Sequence, residues 1–520
     1  MPGLNESLFS AVYAGDTAKL AGLIESGADV NARGFGSYTP LSLAMEKGNM
    51  RIIEILVNAG AKPAAGSAVL AQAIRKGSRE MALLLIKAGA GINEPDADGN
   101  FPLALAVEKG LNDIASELLS AGADPNSVNA DKNTALILTV IKGCAKTAGE
   151  LIMAKADVNL RGAGGRTALH AAVETGNRQA IKMLLNAKAE LNSQDNDGNT
   201  PLISACSRSD NDTAKELVAA GADVNIRGAG NYTALLLAVE RGNNELIREL
   251  ISAKAGLQYE NSDGENAVIA AVKRQGVETL KILLKAGGNP NSRDLQGNTA
   301  LMLAIARKDV EMARALVEAG ADVNAVDAKK NACLVIAAAA GEGRIAEILL
   351  KAGANPDSKG FGSYTALHIA CKNGYADCCR ILLAAGAEPS AKGYGRYTPL
   401  HFAAEKGSFG IVCMLIDKAA QLNEKNLFGM TPLMVAAEKG HDLICARLLE
   451  KGAEPNERDN NQNTALILAA ENGHSKAVLV ILSAGGHASL KNKYGDTALS
   501  CALKAGHNDT AAVLKKYGAE

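Results

Sequence analysis

The chain has 520 residues, with 55 Lys plus Arg against 56 Asp plus Glu, so it offers no bulk attraction to nucleic acid or to an anionic membrane surface. Hydrophobic residues reach 47% but aromatics only 3%, with no Trp, an aliphatic mass that suits closely packed short helices better than sheets. The longest apolar run, Ala332–Ala340, is about half of what a membrane helix needs, and the opening MPGLNESLFSAV has neither the basic nor the apolar region of a signal peptide. Nine cysteines without a CxxC pair argue against a secreted disulfide framework and point to a cytoplasmic, reducing location.

From the first residues onward one pattern recurs. Its anchor is an apolar residue at Leu8, Leu41, Leu70, Leu103, Leu136, Leu169, Leu202, Leu235, Val268, Leu301, Leu334, Leu367, Leu400, Leu433, Leu466 and Leu499. Fourteen of the fifteen spacings are 33 residues, and one, Leu41 to Leu70, is 29. Sixteen repeats therefore fill residues 1–520 as a single solenoid and leave no length for a catalytic domain. The first and last repeats are expected to act as caps, the last because its apolar pair has become Leu514-Lys515.

Each repeat reads as two helices and a projecting loop. Thr stands two residues before the anchor in eleven repeats, often with Pro behind it, as at Thr39-Pro40, and caps a helix of about nine residues. Gly stands seven residues after the anchor in thirteen, stopping that helix; Ser209, Gln275 and Lys308 are the exceptions. A second helix carries an apolar pair such as Leu283-Leu284 into the interface between repeats, and a second Gly leads into an Asp-Val-Asn arm and a tight turn. One such repeat cannot bury its apolar face alone, so neighbours must stack.

The string Thr398-Pro399-Leu400-His401, with Thr-Ala-Leu-His at Thr167–His170 and Thr365–His368, resembles the ankyrin repeat, and the resemblance covers the whole chain. It implies an all-α repeat solenoid of helix–loop–helix units whose loops form projecting β-hairpin fingers beside a concave groove. It also implies a non-catalytic scaffold or adaptor that binds a protein partner through groove and finger tips.

Function is sought where repeats differ. The step from Ala61 to Leu70 is four residues short, so one finger lacks its tip. Most tips are acidic, as in Asp96-Ala97-Asp98-Gly99, but five replace the acids with Gly behind a base, at Arg33–Tyr38, Arg161–Arg166, Arg227–Tyr232, Lys359–Tyr364 and Lys392–Tyr397. These five are expected to be more flexible and more positive than their neighbours. Eleven of the seventeen Phe and Tyr lie in finger segments, where a helical core does not require them.

The densest set marks the candidate partner-binding face, within about residues 355–475: Lys359, Phe361, Tyr364, Lys392, Tyr394, Arg396, Tyr397, Leu427, Phe428 and Met430. A secondary set comprises Arg33, Phe35, Tyr38, Arg227 and Tyr232. For the aromatics just before the capping Thr (Tyr38, Tyr232, Tyr364 and Tyr397), packing on the next loop and binding a partner are both open readings. Along the first helices, Glu46-Lys47, Glu108-Lys109, Glu240-Arg241, Glu405-Lys406 and Glu438-Lys439 give a charge-balanced groove, fitting a mixed-charge protein or peptide or simply a solvated face.

Catalytic chemistry is not indicated. His170, His368 and His401 follow the anchor and His441, His474 and His507 follow the helix stop, a periodicity that reads as structural, with no partner Cys pair at zinc spacing. No cofactor, metal or phosphate-loop motif is present. Two alternatives to a discrete-partner scaffold follow from a long periodic rod: a structural element on a cytoskeletal or axonemal polymer, and an effector delivered into another cell.

Overall fold

The computed structural model describes residues 2–34, 36, 38–63 and 68–518. Among them lie thirty-two α-helices in sixteen consecutive pairs and no β-strand. Contacts gather the chain into two compact halves, Met1–Gly256 and Leu257–Glu520, each holding eight pairs. Within each half the first helix of a pair packs on the first helix of the next, and second helices pack likewise. Pro102–Glu108 lies on Ala135–Lys142 in the first half, and Ala366–Asn373 lies on Pro399–Lys406 in the second.

The repeated residues explain the pairs. Thr200 Oγ1 accepts the Ile203 N–H at 3.3 Å, Thr39 takes part in a reciprocal box with Ser42, and Asn266 takes the same office where Thr is missing, accepting from Val268 and Ile269 at 3.1 Å. Each cap contributes about 1 kcal/mol. First helices are typically seven or eight residues long, shorter than the spacing suggests, and second helices nine. The stop seven residues after the anchor is left-handed throughout: φ is 67° at Gly176 and 80° at Gly374, and also 60° at Ser209 and Gln275 and 61° at Lys308. The geometry of the stop is thus kept even where Gly is lost, at a strain of roughly 1 kcal/mol per residue.

Anchors Leu8, Leu41, Leu301 and Leu367 are fully buried, as are Leu283, Leu349 and Leu382 from second helices. The second member of the expected apolar pair varies: Leu284 and Leu350 are half-buried, whereas Val57 and Leu383 are enclosed. Side-chain oxygens of the arm tie one repeat to the next. Asn93 Oδ1 accepts the Asp124 N–H at 2.8 Å and Asn126 that of Asp157 at 2.8 Å; in the second half, Asn291 accepts from Asp322 at 2.7 Å and Asn324 from Asn355 at 3.0 Å.

The loops differ from the hairpins expected. No strand forms among the described residues, and pairing is limited to single antiparallel bridges at Val128–Thr134, Arg293–Thr299, Val326–Ala332 and Lys359–Thr365. Acidic tips close instead on their own side chain: Asp96 Oδ1 accepts the N–H groups of Asp98 and Asn100, both at 2.9 Å. Four of the five glycine tips share one turn. Gly164, Gly230, Gly362 and Gly395 take φ of 69°, 62°, 69° and 69°, and Gly360 N–H donates to Tyr364 O at 2.8 Å across the base. These tips are closed turns rather than the looser segments their composition suggests. In the fifth, Phe35 and Ser37 lie outside the described residues, as do residues 64–67 of the shortened loop.

Relief of strain at the stop gives one test. Gln275→Gly should raise the free energy of urea unfolding by roughly 0.5–1 kcal/mol, whereas the buried anchor change Leu367→Ala should lower it by about 2–5 kcal/mol. Leu443→Ala, at a site 67% exposed, should alter it by less than about 0.5 kcal/mol.

Candidate functional site

The sequence-derived residues fall into two groups. Phe361, Tyr394, Leu427 and Phe428 stand out from successive loop tips at 77%, 73%, 63% and 58% exposure. Backbone bonds hold these tips in a row: Leu427 N–H donates to Gly395 O at 2.7 Å and Asn460 N–H to Phe428 O at 3.0 Å, while the Tyr364 hydroxyl donates to Tyr394 O at 3.4 Å. Apolar side chains held in water by a fixed backbone have already lost part of the freedom that binding would otherwise remove.

Tyr364, Tyr397 and Met430 behave differently, being half-buried. The two tyrosines enclose Phe402, Tyr364 edge-on at 5.5 Å and Tyr397 stacked at 5.3 Å between ring centroids. They also sit against His368 and His401 at 5.5 and 5.7 Å. Both are partly engaged in packing, Tyr364 on the next repeat and Tyr397 on the helix that follows it, and burial raises both phenol pKa values. Tyr232 packs similarly, its hydroxyl donating to Glu240 at 2.9 Å. Of the basic residues, Lys392 is paired with Glu424 at 2.7 Å, while Lys359 and Arg396 are exposed. Among the described residues neither has a carboxylate within 4.0 Å.

Beside the tips the second half carries a cleft of about 910 Å³. Its floor is Leu303, Ala306, Ile336, Ala339 and Ile369, and Phe361, Tyr364, Lys329 and Lys372 stand around it. Sequence reasoning placed the face at 355–475; the cleft lies earlier and meets that face at Phe361 and Tyr364. Its signal was present in the repeat register. Five residues after the anchor most repeats carry a long or charged residue such as Glu108, Glu174, Glu240 or Glu405, but two successive repeats carry Ala306 and Ala339, and two missing side chains leave a trough. Leu295, 70% exposed at the register of Phe361 in a loop whose Gln296 and Asn298 line the cleft, and Phe402 are the other residues missed.

In the first half a smaller cleft of about 640 Å³ is lined by Arg33 and Tyr38 of the secondary set, together with Phe9 and Leu43. Phe35 lies outside the described residues, and Arg227 is exposed at the base of its turn.

The histidines serve the loops. Nδ1 of His368 and His401 accepts the N–H of Thr365 and Thr398 at 3.1 and 3.2 Å, and Nε2–H donates to Tyr397 O at 3.1 Å and Met430 O at 2.9 Å, one repeat on. That pattern needs the neutral ring, and burial pushes both pKa values down to about 4. Nine free thiols, seven of them buried, complete the inventory of reactive groups; burial raises the pKa of Cys206, Cys333 and Cys445 to about 12. None of these groups faces the cleft.

Stacked helix pairs carrying a row of rigid apolar tips beside an apolar cleft define a repeat-built interaction module. A family model described as ankyrin repeats (3 copies) matches residues 8–96, 70–162, 103–195, 136–228, 187–261, 235–327, 334–426, 391–459 and 433–520. The chain belongs to the ankyrin-repeat family, whose repeats are protein–protein interaction modules. A search of curated proteins found no significant match. No helix among the described residues is long and apolar enough to cross a membrane.

The histidine geometry predicts a pH dependence. An unfolded histidine titrates near 6.5 and these two near 4, so between those values the unfolded chain binds more protons and stability falls as pH falls. From about pH 7 to about pH 5 the loss attributable to them should be on the order of 2 kcal/mol per histidine. The double variant His368→Gln, His401→Gln should show a correspondingly shallower fall in urea-unfolding free energy; an unchanged slope would contradict the assignment.

Proposed function

We propose that the chain is a non-catalytic scaffold that captures a protein partner on the cleft and loop tips of its second half, between about residues 296 and 430. The observation that carries this reading is an apolar cleft, floored by Leu303, Ile336 and Ile369, that meets at Phe361 the row of exposed tips bearing Tyr394, Leu427 and Phe428. Aromatic and aliphatic side chains of this size, fixed in water, supply the buried centre of a protein interface. Lys359 and Arg396 form part of its polar margin, with Lys392, Tyr364, Tyr397 and Met430 supporting the tips from below. The cleft at Arg33 and Tyr38 is a second, smaller contact. Nine free thiols support a reducing, cytoplasmic setting.

Replacing Phe361, Tyr394 and Phe428 together by Ala tests the reading in an affinity capture from native lysate against the unaltered chain. Partner recovery should drop at least tenfold while the thermal midpoint shifts by no more than about 2 °C, because surface changes away from the core alter stability little. Undiminished recovery would place the interface elsewhere. Co-sedimentation with microtubules or actin separates a discrete partner from a polymer: the scaffold should stay in the supernatant, and a pellet that persists in the triple variant would favour the structural-rod alternative.

A further inference from the structure

The residue five positions after each anchor sets the electrostatics of the cleft face. In the second half this row reads Lys273, Ala306, Ala339, Lys372, Glu405, Glu438, Glu471 and Lys504. Ala306, Ala339 and Lys372 line the cleft, whereas the residues that follow them, Arg307, Ala340 and Asn373, do not. The two outermost members are neutralised, Lys273 by Glu265 at 2.7 Å and Lys504 by Asp496 at 2.5 Å.

Of the charged members between them, among the described residues only Glu438 has a counter-ion within 4.0 Å, the adjacent Lys439. Lys372 lies over the Phe402 ring, 5.6 Å from its centroid, and among the described residues it has no carboxylate within 4.0 Å. Lys329, Lys330 and Lys359, in the loops beside the cleft, are likewise exposed and without an acidic partner at that distance. Asp327, which also lines the cleft, is occupied by its own loop, accepting from Lys329 and Asn331 N–H at 2.8 Å. Past Phe402 the row itself turns acidic. Among the described residues Glu405 and Glu471 have no cation within 4.0 Å, and Glu438 meets Lys439 alone, at 3.6 Å. The lysine beside Glu405, Lys406, lies back along the preceding helix end, where a side chain on Gly374 would meet its Cε at 3.5 Å.

Resting on the interface proposed above, we infer that the partner presents a bipolar segment. One stretch combines apolar side chains with Asp or Glu and fills the cleft beside Lys329, Lys359 and Lys372; the adjoining stretch is basic and lies over Glu405, Glu438 and Glu471. Unpaired charges of one sign attract the opposite sign and penalise the wrong register, so the arrangement selects orientation as well as partner. Repeats about 10 Å apart put Lys372 and Glu438 roughly 20 Å apart, which an extended chain spans in about six residues.

Selection of random 20-residue peptides displayed on phage against the full chain tests this. Enriched sequences should carry Asp or Glu with Leu, Ile or Phe in one half and Lys or Arg in the other. Their binding should be lost to Ala339→Arg, which fills the floor from an exposed helical position, and weakened at least tenfold by Lys372→Glu. Peptides that depend on Ala339 but show no segregation of charge would overturn the bipolar inference and leave the interface standing. No enrichment, or enrichment indifferent to both Ala339→Arg and Phe361→Ala, would overturn both.

Discussion

A repeat of 33 residues carries too little apolar surface to fold alone, and the burial of one anchor side chain against its neighbours is the constraint from which the rest follows. Leu301, Leu334 and Leu367 are sealed only because the helices of adjacent pairs lie against them. The arm asparagines act across the same boundary, each giving its side-chain oxygen to a backbone N–H of the next repeat, as Asn324 does for Asn355. Buried histidines add a third tie, from Thr365 through His368 to Tyr397 O. Burial, arm and imidazole all join nearest neighbours, so within each half stability accrues pair by pair.

That division of labour leaves other positions free to vary. The residue five places after the anchor and the loop tip lie outside the anchor and arm positions, and there the repeats of the second half differ from one another. Two alanines in succession open the floor of the cleft, and three of the glycine-bearing or mixed tips set Phe361, Tyr394, Leu427 and Phe428 in solvent. Phe402 occupies the boundary between the two behaviours: it is buried, but by Tyr364 and Tyr397 from the loops rather than by the helical core alone. The packing that fixes the tips is therefore continuous with the surface that a partner would meet.

Much of the fold was legible because periodic spacing is a direct record of stacking. Anchor, Thr cap and left-handed stop were all visible, and Ser209, Gln275 and Lys308 show that the stop outlives its usual residue. The fingers were less legible: whether a loop forms strands or only a turn depends on its hydrogen bonds to the next loop, and here single bridges and Asx closures replace the hairpins. For the candidate site, Phe361, Tyr394 and Phe428 were singled out from composition and prove exposed, but Tyr364 and Tyr397 could not be told from them, because the residue that both pack on, Phe402, belongs to one helix only. The cleft was missed because it is made by absent side chains, at Ala306 and Ala339, and residue-by-residue inspection favours what is present. Leu295 was passed over because leucine is ordinary elsewhere in the repeat; its register alone exposes it.

The central claim is that the second half meets its partner with the cleft and the loop tips rather than with its second helices. Lysine-directed crosslinking with mass spectrometry on the full chain in native lysate measures this directly, since lysines mark both faces. Partner peptides should be joined to Lys329, Lys330, Lys359 and Lys372. Crosslinks concentrated instead on Lys285, Lys351 and Lys451, at the ends of second helices, with none on the four cleft lysines, would contradict it.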